Sequence, residues 1–322
     1  MAGESSDLDA KPILAIAELT VVIVSYKTRD LTLKAVETLI DNSPGVAMRI
    51  IVFDNASDDG SAEAVAALFP NVDVIANPEN IGFARANNVV AAAASTEWLL
   101  LLNPDTETFP GSIARLLAFG KAHPEAGIVG GRTLFPDGQL NPSSCWKRMT
   151  PWTLLTAAFG LSRRFPHSPL FNAEAMGGWD RDSVREVDIV VGCFLLIPTA
   201  LWRRLGGFDE RYFMYGEDAD LCLRARALGY RPMITPDAEI MHLIGASTPD
   251  RADKAVAVLR AKATLIRDHW PSWQVPMGIG LMWLMAAMRG LGSLIARRPE
   301  QRARLRRVWD ERGDWLPGFG PK

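Results

Sequence analysis

Leu19-Thr20-Val21-Val22-Ile23-Val24-Ser25-Tyr26-Lys27 is the stretch on which the fold turns. An apolar, β-branched run without polar alternation is the pattern of a strand buried on both faces. Residues 31–40 follow with apolar positions at helical spacing, so the two segments form one β-α unit. The unit repeats. Strands are expected over 49–53, 72–76 and 98–102, with helices over 61–68 and 83–94 between them. Pro110 opens a further helix that reaches about Ala122, and 127–130 reads as a short strand. Strands alternating with helices predict an α/β fold with a Rossmann-like, mostly parallel, doubly wound sheet.

Periodicity fades from residue 132 to about 186, where Pro136, Pro142, Pro151, Pro166 and Pro169 interrupt any long element. Loops of that length are usually functional or mobile. Residues 187–197 are strand-like with a break at Gly192, and an acidic helix is expected over 217–228 after the Gly206-Gly207 turn. A last clear helix covers 256–269.

With 322 residues the chain can bury a full α/β core. Its 35 Lys and Arg balance 37 Asp and Glu, which gives no reason to invoke nucleic acid as a partner. Cys145, Cys193 and Cys222 are odd in number and widely spaced, as expected of reduced thiols in a cytoplasmic compartment. The polar, acidic start lacks the apolar core of a secretory signal and reads as a disordered leader over residues 1–18. Residues 276–296 are different in kind: 277–288 carries no charge, and eight Arg lie from Arg289 to Arg312. An apolar segment followed by a basic one is expected to lie at an anionic membrane surface; a buried core helix and a membrane span are the alternatives.

Ligands of open parallel sheets bind at the carboxyl ends of the strands, so the residues there form one set. Ser25-Tyr26-Lys27, Asp54-Asn55-Ala56-Ser57-Asp58-Asp59-Gly60, Asn77-Pro78-Glu79-Asn80-Ile81-Gly82 and Asn103-Pro104-Asp105 end the first four strands. Asp54 can accept hydrogen bonds from a ribose hydroxyl or a base imide, or it can close an Asx-turn. Asp58, Asp59 and Ser61 read as turn and N-cap chemistry. Asn80 and Gly82 stand where a helix start offers free backbone N–H groups, and Arg85 lies near enough to balance a diphosphate. Asp105 can hold a hard cation with substrate oxygens, or simply form a Pro turn. His242 could complete a metal shell from another loop, or be structural. Gly216-Glu217-Asp218-Ala219-Asp220 packs three carboxylates into a helix start, where they either serve the macrodipole or take a proton. No G-x-G-x-x-G follows the first strand and no G-x-x-x-x-G-K-[ST] occurs, against a dinucleotide dehydrogenase or a P-loop NTPase.

Together these motifs, with Cys222 and Arg224 after the acids and His242-x-x-Gly245-x-Ser247, resemble the inverting GT-A glycosyltransferases of family 2, in particular the rhamnosyltransferase-like branch. The resemblance runs in order from Leu19 to Ser247. It implies a catalytic domain over 19–250, divided into a nucleotide-sugar half (19–130) and an acceptor half (131–250), with a helical region over 251–322. It implies that Ser25, Tyr26, Asp54, Asn80, Gly82, Arg85 and Asn103 bind the nucleotide sugar. It further implies that Asp105 and His242 hold Mg²⁺ or Mn²⁺, and that Asp218 is the general base with Glu217 as its acidic neighbour. Asn103 stands where many relatives carry Asp, which lowers the negative charge at the metal site. The implied donor is dTDP-rhamnose, with a UDP-sugar as alternative, and the implied acceptor is a glycan or polyprenyl-diphosphate-linked sugar at the cytoplasmic membrane surface. Transfer of galactose or N-acetylglucosamine, and a catalytically inactive nucleotide-sugar-binding module, are the competing expectations.

Overall fold

A computed structural model describes residues 17–243, 251–295 and 298–320. The expected leader falls almost wholly outside them, as do Gly245 and Ser247. The first part of the chain holds β1 (Leu19–Ser25), α1 (Arg29–Asp41), β2 (Met48–Asn55), α2 (Ser61–Leu68), β3 (Asp73–Asn77), α3 (Phe83–Ala93), β4 (Trp98–Leu102), β5 (Thr106–Thr108), α4 (Ser112–Ala122) and β6 (Val129–Leu134). Next come β7 (Leu140–Asn141), β8 (Cys145–Trp146), α5 (Pro151–Ala158), α6 (Leu161–Arg164), β9 (Arg185–Glu186), β10 (Ile189–Val190), β11 (Phe194–Pro198), α7 (Thr199–Leu205), α8 (Glu217–Ala227) and β12 (Met233–His242). The helices α9 (Arg251–His269), α10 (Val275–Ile295), α11 (Pro299–Asp310) and α12 (Arg312–Trp315) close the described chain.

The main sheet runs β3-β2-β1-β4-β11-β6-β12-β5, with β7 added to β6 and β9 to β12. The strands β3, β2, β1 and β4 are parallel, as expected of β-α units, and β6 is parallel to β12. Between these groups β11 runs antiparallel to both β4 and β6, so the sheet is mixed. Direction was not legible because a buried strand is apolar whichever way it runs.

Alternation along the central strands explains the layers. Val22 and Val24 of β1 join Leu99 and Leu101 of β4 on one face, beneath α3, α7 and α8. Val21, Ile23, Leu100 and Leu102 point to the other face, where Val36, Leu39, Ile113 and Leu116 of α1 and α4 cover them. Each such side chain contributes roughly 1.5–3 kcal/mol by leaving water. A third core lies outside the sheet, where Leu154 of α5, Ile266 of α9, and Met282, Met285 and Ala286 of α10 are buried with Val308 and Trp315.

The C-terminal helices are pressed against the sheet domain. Gly216, at φ 96°, begins α8, and a Cβ there would come within 2.8 Å of the Ala261 Cβ of α9. Only glycine permits both that turn and that approach. The helix α10 has two faces. Its inner face is in the third core, whereas Met277, Trp283, Leu291 and Leu294 are exposed. Residues Ser272–Leu294 are long and apolar enough to cross a membrane by composition, with mean hydropathy 1.3.

Candidate active site

The carboxyl ends of β1, β2, β3 and β4 face a cavity of about 1090 Å³, closed on its far side by α8 and α9. Tyr26, Asn80, Asn103, Asp105, Asp218 and His242 all line it. Ser25, Asp54, Gly82, Arg85 and Glu217 do not.

Each of those five has a definite place. The Ser25 hydroxyl is buried against the Thr28 and Thr32 hydroxyls at 3.2 and 2.9 Å, where it ties the end of β1 to α1. Asp54 lies beneath the cavity wall and its Oδ2 accepts the Ser57 N–H at 3.1 Å, the Asx-turn alternative. Its buried Oδ1 has no partner among the described residues, and burial pushes the carboxyl up. Gly82, at φ +82°, begins α3 under Phe213, whose carbonyl accepts the Phe83 N–H at 2.8 Å. Arg85 is exposed and 3.8 Å from Glu210, so the structure does not bring it to the cavity. Glu217 is buried behind Asp218 with Oε2 unpaired, and burial together with the Asp218 charge pushes its carboxyl well above the ordinary range.

Asp218 is held differently. Its Oδ2 accepts the Gly192 N–H at 3.0 Å and its Oδ1 the Ala219 N–H at 2.7 Å. Burial raises its pKa, and the two backbone donors oppose that rise. The carboxylate is therefore oriented and open to the cavity. Asp220, two residues on, faces away: Oδ1 meets His269 Nε2 at 2.8 Å and Oδ2 meets Arg224 at 2.7 Å. Burial raises its pKa, but the hydrogen bond with His269 and the Arg224 charge more than offset it and the net shift is downward.

In the same cavity, pairing of Thr106 with His242 across β5 and β12 sets His242 Nε2 3.3 Å from Asp105 Oδ1. Burial lowers the imidazole pKa, yet the Cys193 sulfur and the Asp105 carboxylate raise it more, to about 10. Asn103 Oδ1 and His242 Nδ1 are buried without hydrogen-bond partners among the described residues, and Asp105 Oδ1 has only the 3.3 Å ion pair with His242. These side chains offer two oxygens and an imidazole whose proton a divalent cation would displace, a donor set that suits such an ion. Asp209, Asp220 and Asp268 also converge, but Arg211, Arg224 and His269 already neutralise them.

Several lining residues escaped the sequence reading. Asn55 accepts the Ile81 N–H and donates to Asn80 Oδ1, both at 2.9 Å, locking the loops after β2 and β3 together. Its position directly after a buried Asp, in the Asp54–Gly60 motif, is the signal the sequence carries. Gly192 marked a break in a strand without revealing that its N–H holds Asp218. His269, Lys254 and Lys262 reach the cavity from α9, and no local pattern distinguishes them.

The family model "Glycosyl transferase family 2" matches residues 20–187. The chain belongs to that family and is a glycosyltransferase. It is 30% identical over 274 residues to the N-acetylglucosaminyl-diphospho-decaprenol L-rhamnosyltransferase of Mycobacterium tuberculosis, covering 80% of this chain and 87% of the relative. It is 26% identical over 233 residues to rhamnosyltransferase WbbL of Escherichia coli, covering 69% and 82%. Among solved structures it resembles mannosyltransferase PcManGT from Pyrobaculum calidifontis, in complex with GDP-Man and Mn²⁺, at TM-score 0.56 and 18% identity. That likeness covers 91% of this chain and 86% of the other and supports the GT-A fold.

The opposite environments of neighbouring acids give a stability prediction. Asp220 stays ionised in the native state where the unfolded chain takes up a proton, so its contribution is full above about pH 4 and is lost as pH falls through the lower folded value. Asp220→Asn, which strips Arg224 and His269 of their buried partner, should cost about 3 kcal/mol at pH 7. Urea unfolding of both proteins should show that gap narrowing below about pH 4; a constant gap would refute the assignment.

Proposed function

We propose that the protein transfers a rhamnosyl group, with inversion, from a nucleoside-diphosphate sugar to a lipid-linked glycan acceptor at the inner face of the cytoplasmic membrane. The observation carrying this reading is that Asp218 and the Asp105–His242 pair line one cavity, joined through the adjacent residues Gly192 and Cys193. Rhamnose as the sugar and a polyprenyl-diphosphate acceptor are supported by the name of the Mycobacterium tuberculosis relative; dTDP-rhamnose is the donor that the resemblance to the rhamnosyltransferase-like branch implies. Residues 19–130 are taken as the donor half, 131–250 as the acceptor half, and 251–322 as a helical region that meets the membrane.

The chemistry is a single displacement. The acceptor oxygen bonds to the anomeric carbon as the bond to the diphosphate oxygen breaks, and the electron pair of that bond leaves with the nucleoside diphosphate. Asp218 takes the acceptor's hydroxyl proton; its raised pKa makes it a stronger base, and the Gly192 and Ala219 N–H groups keep it aimed. Mg²⁺ or Mn²⁺, held by Asp105 and His242 beside Asn103, would stabilise the charge on the leaving diphosphate. Tyr26, Asn55 and Asn80 form the wall for the nucleoside, with Asp54 Oδ1 beneath it. Ser25 and Gly82 shape that wall through the backbone. Arg85 would have to leave Glu210 to reach a phosphate.

The inner face of α10 packs on the domain while its outer face is bare and apolar, an arrangement suited to lying on a bilayer.

Asp218→Asn should leave donor affinity nearly unchanged and lower turnover by about 10²–10⁴-fold. Turnover at the wild-type rate would remove Asp218 from the role of base. Chelator should abolish transfer and added Mg²⁺ or Mn²⁺ restore it, whereas full activity in chelator would dismiss Asp105 and His242 as ligands. In flotation with phosphatidylglycerol-rich vesicles, Leu291→Glu/Leu294→Glu should stay at the bottom of the gradient while the wild type floats. Equal flotation would discard the docking face.

A further inference from the structure

A second cavity of about 350 Å³ opens beside the first, among α5, α9, α10 and α11. The two share Glu174, Lys254, Val258 and Lys262 as lining residues. One side of the smaller cavity is apolar, with Leu154 from α5 and Met285 from α10. Its polar side is cationic, formed by Lys254, Lys262, Arg289 and Arg304.

These cations are unequally satisfied. Lys262 is paired with Glu174 at 2.6 Å, and Lys254 stands over the Tyr215 ring at 5.1 Å. Arg289 and Arg304 meet no acceptor among the described residues. Arg289 is the only charged residue of α10, and it is half-buried. Burial and the neighbouring Arg304 charge both lower its pKa, which means that the fold supplies no counter-charge there. Two guanidinium groups held together at a cavity wall, each lacking an acceptor, are unfavourable alone and complementary to a phosphate group.

We infer that this second cavity binds the diphosphate of the lipid-linked acceptor through Arg289 and Arg304. The inference rests on the acceptor class proposed above and adds its recognition site. The shared wall lets an acceptor place its phosphates on the arginines and its sugar in the larger cavity with Asp218. The apolar side offers the first isoprene units a path along Leu154 and Met285.

The test uses the full chain and two probes. Inorganic pyrophosphate, titrated calorimetrically in chelator, should bind the wild type and bind Arg289→Gln/Arg304→Gln at least about tenfold more weakly. Equal affinities, or no binding to the wild type, would overturn the anion site. With a polyprenyl-diphosphate-N-acetylglucosamine acceptor, the same variant should raise acceptor KM about tenfold while the affinity for nucleoside diphosphate holds. A pyrophosphate effect without a change in acceptor KM would assign the site to free phosphate and overturn the lipid reading. Arg289→Lys, which keeps the charge but loses the fork, should fall between the two proteins; its matching the Gln variant would count against recognition by charge. Absence of transfer by the wild type would sink the acceptor class, while the pyrophosphate titration would still decide the anion site.

Discussion

The seam between β4 and β11 is the constraint on which the site depends. Leu102 registers with Phe194, and one step further the Asn103 N–H donates to the Cys193 carbonyl at 3.1 Å. The next residue back along the incoming chain, Gly192, donates its N–H to Asp218. One antiparallel strand therefore joins the loop carrying Asn103 and Asp105 to the helix carrying Asp218. A register slip by one residue would exchange Leu195 and Ile197, which face one core, with Phe194 and Leu196, which face the other. Packing on both faces thereby fixes Asp218 relative to the loop carrying Asn103 and Asp105.

The parallel half was legible because strands buried on both faces are apolar runs and the helices between them keep their period. The edge was harder. The long strand β12 contains Pro236 and an irregularity between Thr235 and Glu239, so its alternation is broken. The three-residue β5 exists through its pairing with β12 and has no pattern of its own. Between β7 and β9 much of the order comes from side chains bonding the backbone. Arg181, nearly fully buried, donates to the carbonyls of Trp179, Pro142 and Ala175. Such cross-chain bonds leave no period to read.

Site residues followed the same division. Motif order brought Asp105, Asp218 and His242 to one cavity, since strand ends converge in this topology. Motif membership did not say which way each side chain points. Ser25 is spent on the turn into α1 and Arg85 on an exposed ion pair. Glu217, Asp218 and Asp220 lie within four residues, yet the first two are pushed up and the third down. Partners made the difference: Asp220 has an arginine and a histidine, Asp218 has two backbone donors, and Glu217 has an unpaired oxygen. Environments that drive adjacent carboxyls apart are how one helix turn can serve both proton chemistry and anchoring.

The helix α9 joins these elements to the C-terminal region. Its His269 anchors Asp220, its Ala261 packs against Gly216, and its Lys254 and Lys262 stand between the two cavities. Asp105, Asp218 and His242 gather in the larger cavity, whereas Arg289 and Arg304, without acceptors among the described residues, line the smaller. A nucleophilic hydroxyl needs a carboxylate base beside it, but on the proposed acceptor a diphosphate a few atoms away would be repelled by that carboxylate. On that reading the cations of α10 and α11, reached from the acidic turn past Lys254 and Lys262 of α9, let one acceptor satisfy both cavities at once.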